Sequence, residues 1–492
     1  MKKSTALLLI ALLALCASTL LGCASDPQRA AAANADDYNL VASWDEASHT
    51  LSLAETVRLT NRAQNAVTEV KFHIYANQYR EDAQTSVVPN VYKSAAYPNG
   101  DSFGKITFDQ VKVDGTPVAF VIEGTDNDIL SVPLGKELFG GESVTVQMDC
   151  EIVIANVKHR LGYTDTTLNL GNFYPVLCDV DGGNYVCTPY CNVGDPFVSE
   201  VANYDVTMIV PKGYVVASSG VLGEATSDNT VDTLKFSASA VRDFALVASK
   251  NFKRLTADAD GVQVNYYYYA DKDAENTLKL ACDTLKYFSS NISEYPYAQY
   301  SVCETEFCYG GMEYPCLSMV TSGSSSYREA VIHETAHQWF YGIVGNDQFN
   351  DAWMDEGLAE FLTMQYLDER GEKPLADGIR AKTKTYTTYV DVLNRYYDRA
   401  DTSYKCLADY KNDSEYVILT YVKGSLMFNT LYETMGKERF FRALKNYCDD
   451  ACYTIASPQT MALHFEQVGG KGLQNVFAAF ADGKEIIGEV TD

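Results

Sequence analysis

The order of apolar and polar positions divides the chain into two parts. From residue 38 to about residue 252 the two kinds of residue alternate, as over residues 51–59 and 70–75, and Asn99-Gly100 and Asp114-Gly115 are typical of hairpin turns. A period of two predicts strands, and helical signals are scarce in this part. We therefore expect an antiparallel β domain of the saddle or sandwich type over residues 38–253.

The period changes near residue 254, after which one further strand is predicted at residues 262–269. Residues 274–289 then place Leu278, Ala281, Leu285 and Phe288 at helical spacing. The rest of the chain is predicted to be mostly helical, with main segments at 329–343, 355–368, 386–397 and 417–435. Residues 254–492 should form a second, mainly helical domain, so the fold class is multidomain α+β, β first and then mainly α.

The first residues indicate export. Lys2 and Lys3 precede an apolar run over residues 6–15, and Leu20-Leu21-Gly22-Cys23 follows and resembles the bacterial lipobox. We expect a signal peptide over residues 1–22, a lipid on Cys23 and a mobile Ala-rich tether over residues 23–37. The protein would then lie in the bacterial cell envelope, on the outer side of the cytoplasmic membrane or on the outer membrane of a Gram-negative source. An ordinary signal peptide or a short membrane helix is the alternative.

Charge limits the partners. The 39 basic and 65 acidic residues give a formal net charge of −26, which repels phosphate backbones and anionic lipid surfaces. We expect no nucleic-acid partner, contact with a membrane only through the lipid, and a monomer.

Thirteen cysteines are present, of which Cys16 and Cys23 belong to the predicted signal and lipid site. The odd number that remains leaves at least one unpaired in a monomer, and an export route permits disulfides. Candidate pairs are Cys178 with either Cys187 or Cys191, and two among Cys303, Cys308 and Cys316. These alternatives stay open because disulfide connectivity does not follow from sequence.

The pattern with the clearest chemistry is His333-Glu334-Thr335-Ala336-His337. Residues four apart share one face of a helix, so His333 and His337 can direct two imidazoles at one metal ion. Glu334 lies one position along, where its carboxylate can reach a water beside the metal instead of the metal itself. The motif predicts a single catalytic Zn²⁺ per chain.

Catalytic zinc usually takes a third protein ligand and keeps its fourth position open. Glu356 follows His337 after 18 intervening residues and begins a second predicted helix. A glutamate at this position could also serve only to stabilise the helix dipole. With the histidines upstream, we predict that Glu356 is the third ligand, and Glu360 and Asp355 are the competing carboxylates.

This spacing resembles the zinc aminopeptidases of the aminopeptidase N type, the gluzincin family that includes the leukotriene-hydrolysing aminopeptidase. The segment Gly310-Gly311-Met312-Glu313-Tyr314 is similar to the family's Gly-x-Met-Glu-Asn motif, and Tyr421-Val422-Lys423-Gly424 is similar to its Tyr-x-Lys-Gly segment. The resemblance runs from about residue 38 to the end of the chain. It implies a thermolysin-like catalytic domain after the β domain.

The resemblance also implies a mechanism. Zinc activates a water that attacks the peptide carbonyl, Glu334 acts as the general base, and Tyr421 stabilises the oxyanion. Glu313 would bind the free amine of the substrate, and Gly310, Gly311 and Met312 would complete the substrate-binding segment. The expected substrates are extracellular peptides with a free N-terminus.

The chain departs from the family pattern in three ways. Tyr314 replaces an asparagine, which we expect to change local packing more than the role of Glu313. Thr363 stands where many relatives have a glutamate that supports a metal ligand. The large helical C-terminal domain is expected to be absent, which predicts an open cleft. A thermolysin-type endopeptidase and a catalytically decayed surface binding protein are the alternative functions.

Overall fold

The computed structural model describes residues 26–181, 183–397 and 401–485. The predicted signal peptide and Cys23 lie outside these residues. In the described part of the chain, no helix combines the length and apolar character that crossing a membrane requires.

Strands dominate the first half and form one large sheet and two smaller ones. The large sheet has eight strands, which in spatial order are Val221–Ser227, Val231–Val241, Ala202–Pro211, Asp36–Asp45, Thr50–Thr60, Ser143–Val153, Lys105–Val113 and Thr116–Pro117. All neighbours in it pair antiparallel except Asp36–Asp45 and Ala202–Pro211, which run parallel. The alternation in sequence follows from this arrangement, since one face of the long strands packs on the core.

Two four-stranded sheets and a short hairpin complete this half. One sheet contains, in spatial order, Val215–Ser218, Leu246–Ser249, Leu168–Leu170 and Leu161–Tyr163. The other contains Val176–Leu177, Val67–His73, Ile129–Leu138 and Val121–Glu123, and the hairpin pairs Val180–Asp181 with Asn184–Tyr185.

The prediction of a mobile tether over residues 23–37 is wrong for its described part. Pro27–Asn34 is a helix, and Asp36 already begins a strand. Asp26 caps the helix by accepting a hydrogen bond from the amide of Gln28, and Asn203 Nδ2 donates to the Ala32 carbonyl at 2.9 Å. The alanines that suggested a tether also have the highest helix propensity, and the cap and docking contacts decide the outcome.

The second half begins with a five-stranded sheet, of which the sequence predicted only the strand at residues 262–269. Its five strands are, in spatial order, Lys253–Ala259, Val262–Tyr268, Gln299–Thr305, Leu317–Thr321 and Gly311–Met312. Every residue of Gln299–Thr305 is buried, so this strand lacks the alternation by which a half-exposed strand is recognised.

Helices form the remainder of the second half. Their bounds are Ala274–Asn291, Tyr327–Ala336, Gln348–Asp351, Glu356–Glu369, Leu375–Tyr396, Asp413–Val417, Gly424–Met435, Lys437–Ala451, Pro458–Gly469 and Leu473–Ala481. A π-helical turn, Ile418–Lys423, joins two of them, and Gly345–Asn346 pairs with Ile455–Ala456. The helix that carries the two histidines ends at Ala336, earlier than the predicted residue 343.

A buried arginine joins the two halves close to that helix. Arg242, 2% exposed, donates hydrogen bonds to the carbonyl oxygens of Ser199 at 2.6 Å, Tyr341 at 2.9 Å and Thr454 at 3.0 Å. A Cβ at Gly345 would lie 2.2 Å from the Arg242 guanidinium carbon, so only glycine leaves room for it. The segment after the histidines is therefore held directly against the β half.

Candidate metal centre and active-site cleft

The two histidines of the motif converge as the helix spacing predicts. His333 lies in the last turn of Tyr327–Ala336, and His337 follows as the cap residue. Their Nε2 atoms are 3.0 Å apart. Val331 and Ile332 on the same helix are fully buried, which fixes its rotation and directs both imidazoles to one side.

Glu356, the first residue of its helix, brings a carboxylate to the same point. Its Oε2 lies 3.0 Å from His333 Nε2 and 3.2 Å from His337 Nε2. Zinc bonds of about 2.0–2.1 Å in tetrahedral geometry would separate the ligand atoms by about 3.3 Å. The three donors therefore fit one zinc ion, and their two-nitrogen, one-oxygen chemistry is of the type that catalytic zinc takes.

Two glycines let the helix that begins at Glu356 approach a neighbouring helix closely. A Cβ on Gly357 would lie 2.8 Å from the Cα of Gly424, so the helices Glu356–Glu369 and Gly424–Met435 touch backbone to backbone. Burial opposes ionisation of Glu356, yet the adjacent His337 and His333 hold the pKa of its carboxyl well below the usual range. The third donor is thus a carboxylate.

Groups behind the donors orient them. His337 Nδ1 donates to the Phe340 carbonyl at 3.0 Å, which leaves Nε2 free to bind a metal. His333 Nδ1 lies 3.6 Å from Glu360 Oε2, and the other oxygen of Glu360 is 2.5 Å from Lys382 Nζ. Glu360 thus supports His333 and does not compete with Glu356.

Asp355, the other competing carboxylate, faces a different set of groups. It accepts hydrogen bonds from Asn346 Nδ2 at 3.1 Å and Gln348 Nε2 at 2.8 Å. Thr363, which stands in place of a supporting glutamate, donates to the Ala359 carbonyl of its own helix at 2.8 Å. Support for His333 comes from Glu360 instead.

Glu334 is buried but faces the cleft. Within the described residues its Oε2 has no hydrogen-bond partner, and burial together with Glu313 raises the pKa of its carboxyl well above the usual value. A Cβ on Gly311 would lie 2.3 Å from Glu334 Oε1, so the missing side chain of Gly311 makes room for this carboxylate. An unpartnered buried carboxylate beside the donor triangle is placed to exchange a proton.

Glu313 is a second buried carboxylate near the donors. Its Oε1 accepts a hydrogen bond from Gln348 Nε2 at 3.0 Å. Burial and the neighbouring Asp195 carboxylate raise the pKa of Glu313 to about 8. A cation placed here would relieve that repulsion, so the geometry favours a positively charged ligand group. Gly310 and Gly311 line the cleft beside Glu313, whereas Met312 is 1% exposed and accepts from Arg160 Nε through its sulfur at 3.2 Å.

Tyr314 fills space within the β half. Its hydroxyl donates to Asn172 Oδ1 at 2.6 Å, and a Cβ on Gly171 would lie 2.0 Å from the Tyr314 hydroxyl oxygen. The tyrosine that replaces asparagine at this position therefore packs its ring against Gly171.

Tyr421 lies on the π-helical turn, a form of helix that often occurs at functional sites. Its ring stacks on that of His333, with centroids 6.0 Å apart at 15°, and burial together with the nearby Glu356 carboxylate raises the pKa of its hydroxyl well above the usual value. The ring of Tyr416 stands nearly perpendicular to it at 5.8 Å, and among the described residues the Tyr416 hydroxyl has no partner. Two phenols thus border the donors, and Tyr421 is the nearer.

Sequence reasoning missed Asp195, Arg160 and Gln348. Oxygen atoms of Asp195, Glu313 and Glu356 lie within 4.8 Å of one another, and Arg160 donates to Asp195. The Arg160 guanidinium also packs over the rings of Phe197 and Tyr309, at 5.4 and 5.5 Å. Asp195 and Arg160 lie in separate loops and Gln348 in a four-residue helix, and none belongs to a motif, so only the tertiary structure reveals them.

These groups line one cleft of about 900 Å³, a size typical of small-ligand sites. His333, Glu334, Glu356, Glu313, Asp195 and Tyr421 all border it. The cleft can hold a divalent cation and, beside it, a cationic ligand group.

Comparison with known proteins agrees with this geometry. Residues 276–480 match the Peptidase family M1 domain. Aminopeptidase M1-C of Oryza sativa subsp. japonica is 22% identical over 305 residues, which are 57% of this chain and 34% of the rice protein. Leukotriene A-4 hydrolase of Xenopus laevis is 34% identical over 84 residues, 16% of this chain and 14% of that protein. The chain thus spans about a third of the rice relative's length.

An M1 zinc metallopeptidase from Deinococcus radiodurans has a similar structure. The TM-score is 0.65 at 17% identity, over 92% of this chain and 95% of that one. This likeness confirms the fold class, β and then mainly helical, and the family match over residues 276–480 supports the predicted resemblance. The prediction of one zinc ion is supported by the family and by the donor set.

Proposed function

We propose that the protein is a zinc-dependent aminopeptidase that releases N-terminal residues from peptides, because residues 276–480 match the Peptidase family M1 domain. One observation carries this proposal: three metal donors within 3.0–3.2 Å of one another lie at a cleft that is also bordered by an unpartnered carboxylate, Glu334, and a second carboxylate, Glu313. The donors together with Glu334 suit hydrolysis, and Glu313 suits recognition of a positive charge.

His333, His337 and Glu356 would hold the metal. A zinc ion bound there would supply a Lewis acid that polarises the scissile carbonyl and makes the attacking water more acidic. Glu360 and the Phe340 carbonyl orient the two imidazoles, so the protein presents the donors already arranged.

Glu334 is the general base. Its free Oε2 takes a proton from the attacking water and returns it to the leaving amine as the peptide bond breaks. The hydroxyl of Tyr421, whose ring stacks on His333 at the edge of the cleft, donates to the oxygen that gains negative charge. Because this hydroxyl is positioned before the reaction, little reorganisation is needed.

Glu313 selects the free N-terminus. An α-ammonium beside Glu313 would gain a charge-assisted hydrogen bond and reduce the repulsion between Glu313 and Asp195. Gly310 and Gly311 leave the adjoining backbone open to the substrate. With the amine fixed at Glu313, only the first peptide bond reaches the donors.

We also propose the location that the sequence suggests. Export and a lipid on Cys23 would hold the enzyme in the cell envelope, where it would act on extracellular peptides. Metabolic labelling with a radioactive or alkyne-bearing fatty acid tests this, and labelling that persists in Cys23→Ser would refute it.

The activity is tested with aminoacyl nitroanilides and their N-acetylated counterparts. We expect cleavage of the free-amine substrates only, loss of activity with a chelator, and recovery with one zinc per chain. Cleavage of acetylated substrates would favour an endopeptidase, and a zinc-loaded protein that cleaves neither would favour a binding protein. Glu313→Gln should raise KM by about 10- to 100-fold, since an ammonium would lose its charged partner.

A further inference from the structure

We propose that Cys178 and Cys187 are a disulfide-forming pair that clamps the hairpin of the β half. The proposal is independent of the peptidase activity. It selects one pairing from the alternatives that the sequence leaves open, and it makes this hairpin a site of covalent modification.

The register of the hairpin places the two cysteines opposite each other. Val180 pairs with Tyr185 and Asp181 with Asn184, and the amide of Val186 donates to the Asp179 carbonyl at 2.8 Å. Continued by one step, the same register sets Cys178 against Cys187. Directly opposed residues on antiparallel strands point to the same face, and their Cβ atoms lie close enough for a disulfide.

The contacts of Cys178 agree with this register. The Cys178 and Cys187 thiols are close enough that each shifts the pKa of the other. The amide of Cys178 donates to the Lys71 carbonyl at 2.9 Å, which makes Lys71 the neighbour of Cys178 on the next strand. Cys178 is buried, so oxidation would fix Cys187 to a rigid part of the sheet.

The environment also makes Cys187 the reactive partner. Among the cysteines of the described residues, Cys187 alone is exposed. The neighbouring Cys178 thiol and the Lys71 ammonium lower the pKa of its thiol, whereas burial raises the pKa of Cys178. A thiolate therefore forms first at the sulfur that solvent can reach.

Cys191, the alternative partner, lies in a different environment. It belongs to a buried cluster that contains Val193 of the β half and Phe349 and Tyr386 of the helical half. Its sulfur contacts the Pro189 carbonyl at 3.9 Å. Pairing Cys178 with Cys191 would require the chain between them to leave its present contacts.

The chemistry is thiol–disulfide exchange with a small-molecule disulfide as oxidant. The Cys187 thiolate attacks one sulfur of that disulfide, a mixed disulfide forms, and the first small thiolate leaves and takes up a proton. Cys178 then loses its proton to solvent, its sulfur attacks Cys187 Sγ, and the second small thiol departs. The protein loses two electrons and two protons, and the small disulfide gains both.

The test uses the full-length protein treated with glutathione disulfide or with a reductant, followed by alkylation of free thiols and peptide mapping. We expect the oxidised sample to contain a Cys178–Cys187 cross-linked peptide whose mass is lower by two hydrogen atoms. Both cysteines should carry the alkyl group after reduction. Cys187→Ser should abolish the cross-link, and Cys452→Ser, a half-exposed cysteine on another element, should leave it intact.

Stability gives a second readout that does not depend on catalysis. Oxidation should raise the melting temperature of the wild type by a few degrees and leave that of Cys187→Ser unchanged, because the cross-link restricts the unfolded chain. A cross-link from Cys178 to Cys191, or full alkylation of Cys178 and Cys187 after glutathione disulfide, would overturn the proposal.

Discussion

The large sheet and the helices that carry the metal donors bury their residues in different ways. The strand Asp36–Asp45 alternates between buried and exposed positions almost throughout, and Thr50–Thr60 does the same. The helix Glu356–Glu369 instead buries ten of its fourteen residues, on every face. A strand of the first kind needs only an apolar face, whereas a helix of the second kind must also accommodate the polar groups that it buries.

Burial of polar groups, as in the helix Glu356–Glu369, is found where the chemistry is expected. Around the cleft, buried carboxylates face one another with few basic partners, an arrangement that costs stability unless cations bind there. The β half buries mainly apolar residues and obtains stability from them. The comparison predicts that buried polar groups near the cleft affect turnover most, and that buried polar groups of the β half away from the cleft affect stability only.

Glu334→Gln should give the largest effect. The amide keeps the shape of the carboxylate but cannot accept the proton of the attacking water, so kcat should fall by roughly 10³- to 10⁴-fold. Zinc content, measured by atomic absorption, should stay at one per chain because Glu334 is not a donor to the metal. A variant that retained zinc and near-normal kcat would remove Glu334 from the mechanism.

Tyr421→Phe should follow, with kcat lower by about 10²- to 10³-fold, because one preorganised donor to the developing oxyanion is lost. Its ring would still stack on His333, so the donor geometry should survive. Tyr416→Phe is the matched control, since the Tyr416 ring lies farther from the donors, packed against Tyr421 and Tyr410. Equal losses in the two variants would mean that Tyr421 has no special role.

Gly311→Ala tests whether the cleft depends on close packing. The new Cβ would meet Glu334 Oε1 at 2.3 Å, so the carboxylate must move, and a displacement of about 1 Å costs about 10²-fold in kcat. Gly310→Ala is the neighbouring comparison, because nothing lies within 4 Å of its added Cβ. It should change kcat far less and affect mainly KM, and equal losses of kcat would contradict the steric explanation.

The metal donors could be predicted from sequence because helix geometry alone relates His333 to His337. Glu356 required the spacing of a second helix, and Glu313 and Tyr421 required the family motifs. All of these residues except His337 border the cleft in the structure, and His337 Nε2 lies 3.0 Å from His333 Nε2. Local spacing and motifs were thus enough to predict the metal donors and the general base.

Asp195, Arg160 and Gln348 could not be predicted in this way. Asp195 lies in a loop of the β half, and Gln348 lies in a four-residue helix, so no period or motif distinguishes them. The central strand Gln299–Thr305 escaped notice because it is buried on both faces. Contacts between distant segments decide these features, and a single sequence does not display them.

The smallest effect concerns His73, a buried polar group of the β half. The residue is 1% exposed, its ring stacks on Tyr75 at 4.9 Å, and burial lowers its pKa to about 4. The unfolded chain binds a proton at about pH 6.5, so the contribution of neutral His73 is present above that pH and is lost as pH falls towards 4. The free energy of unfolding should fall by about 3 kcal/mol over this range.

Urea unfolding of the wild type and of His73→Gln between pH 8 and pH 4 measures this loss, and the stability of the variant should depend less steeply on pH. Identical slopes, or a fall in kcat at pH 8 comparable to that of Gly311→Ala, would contradict the division between the two halves.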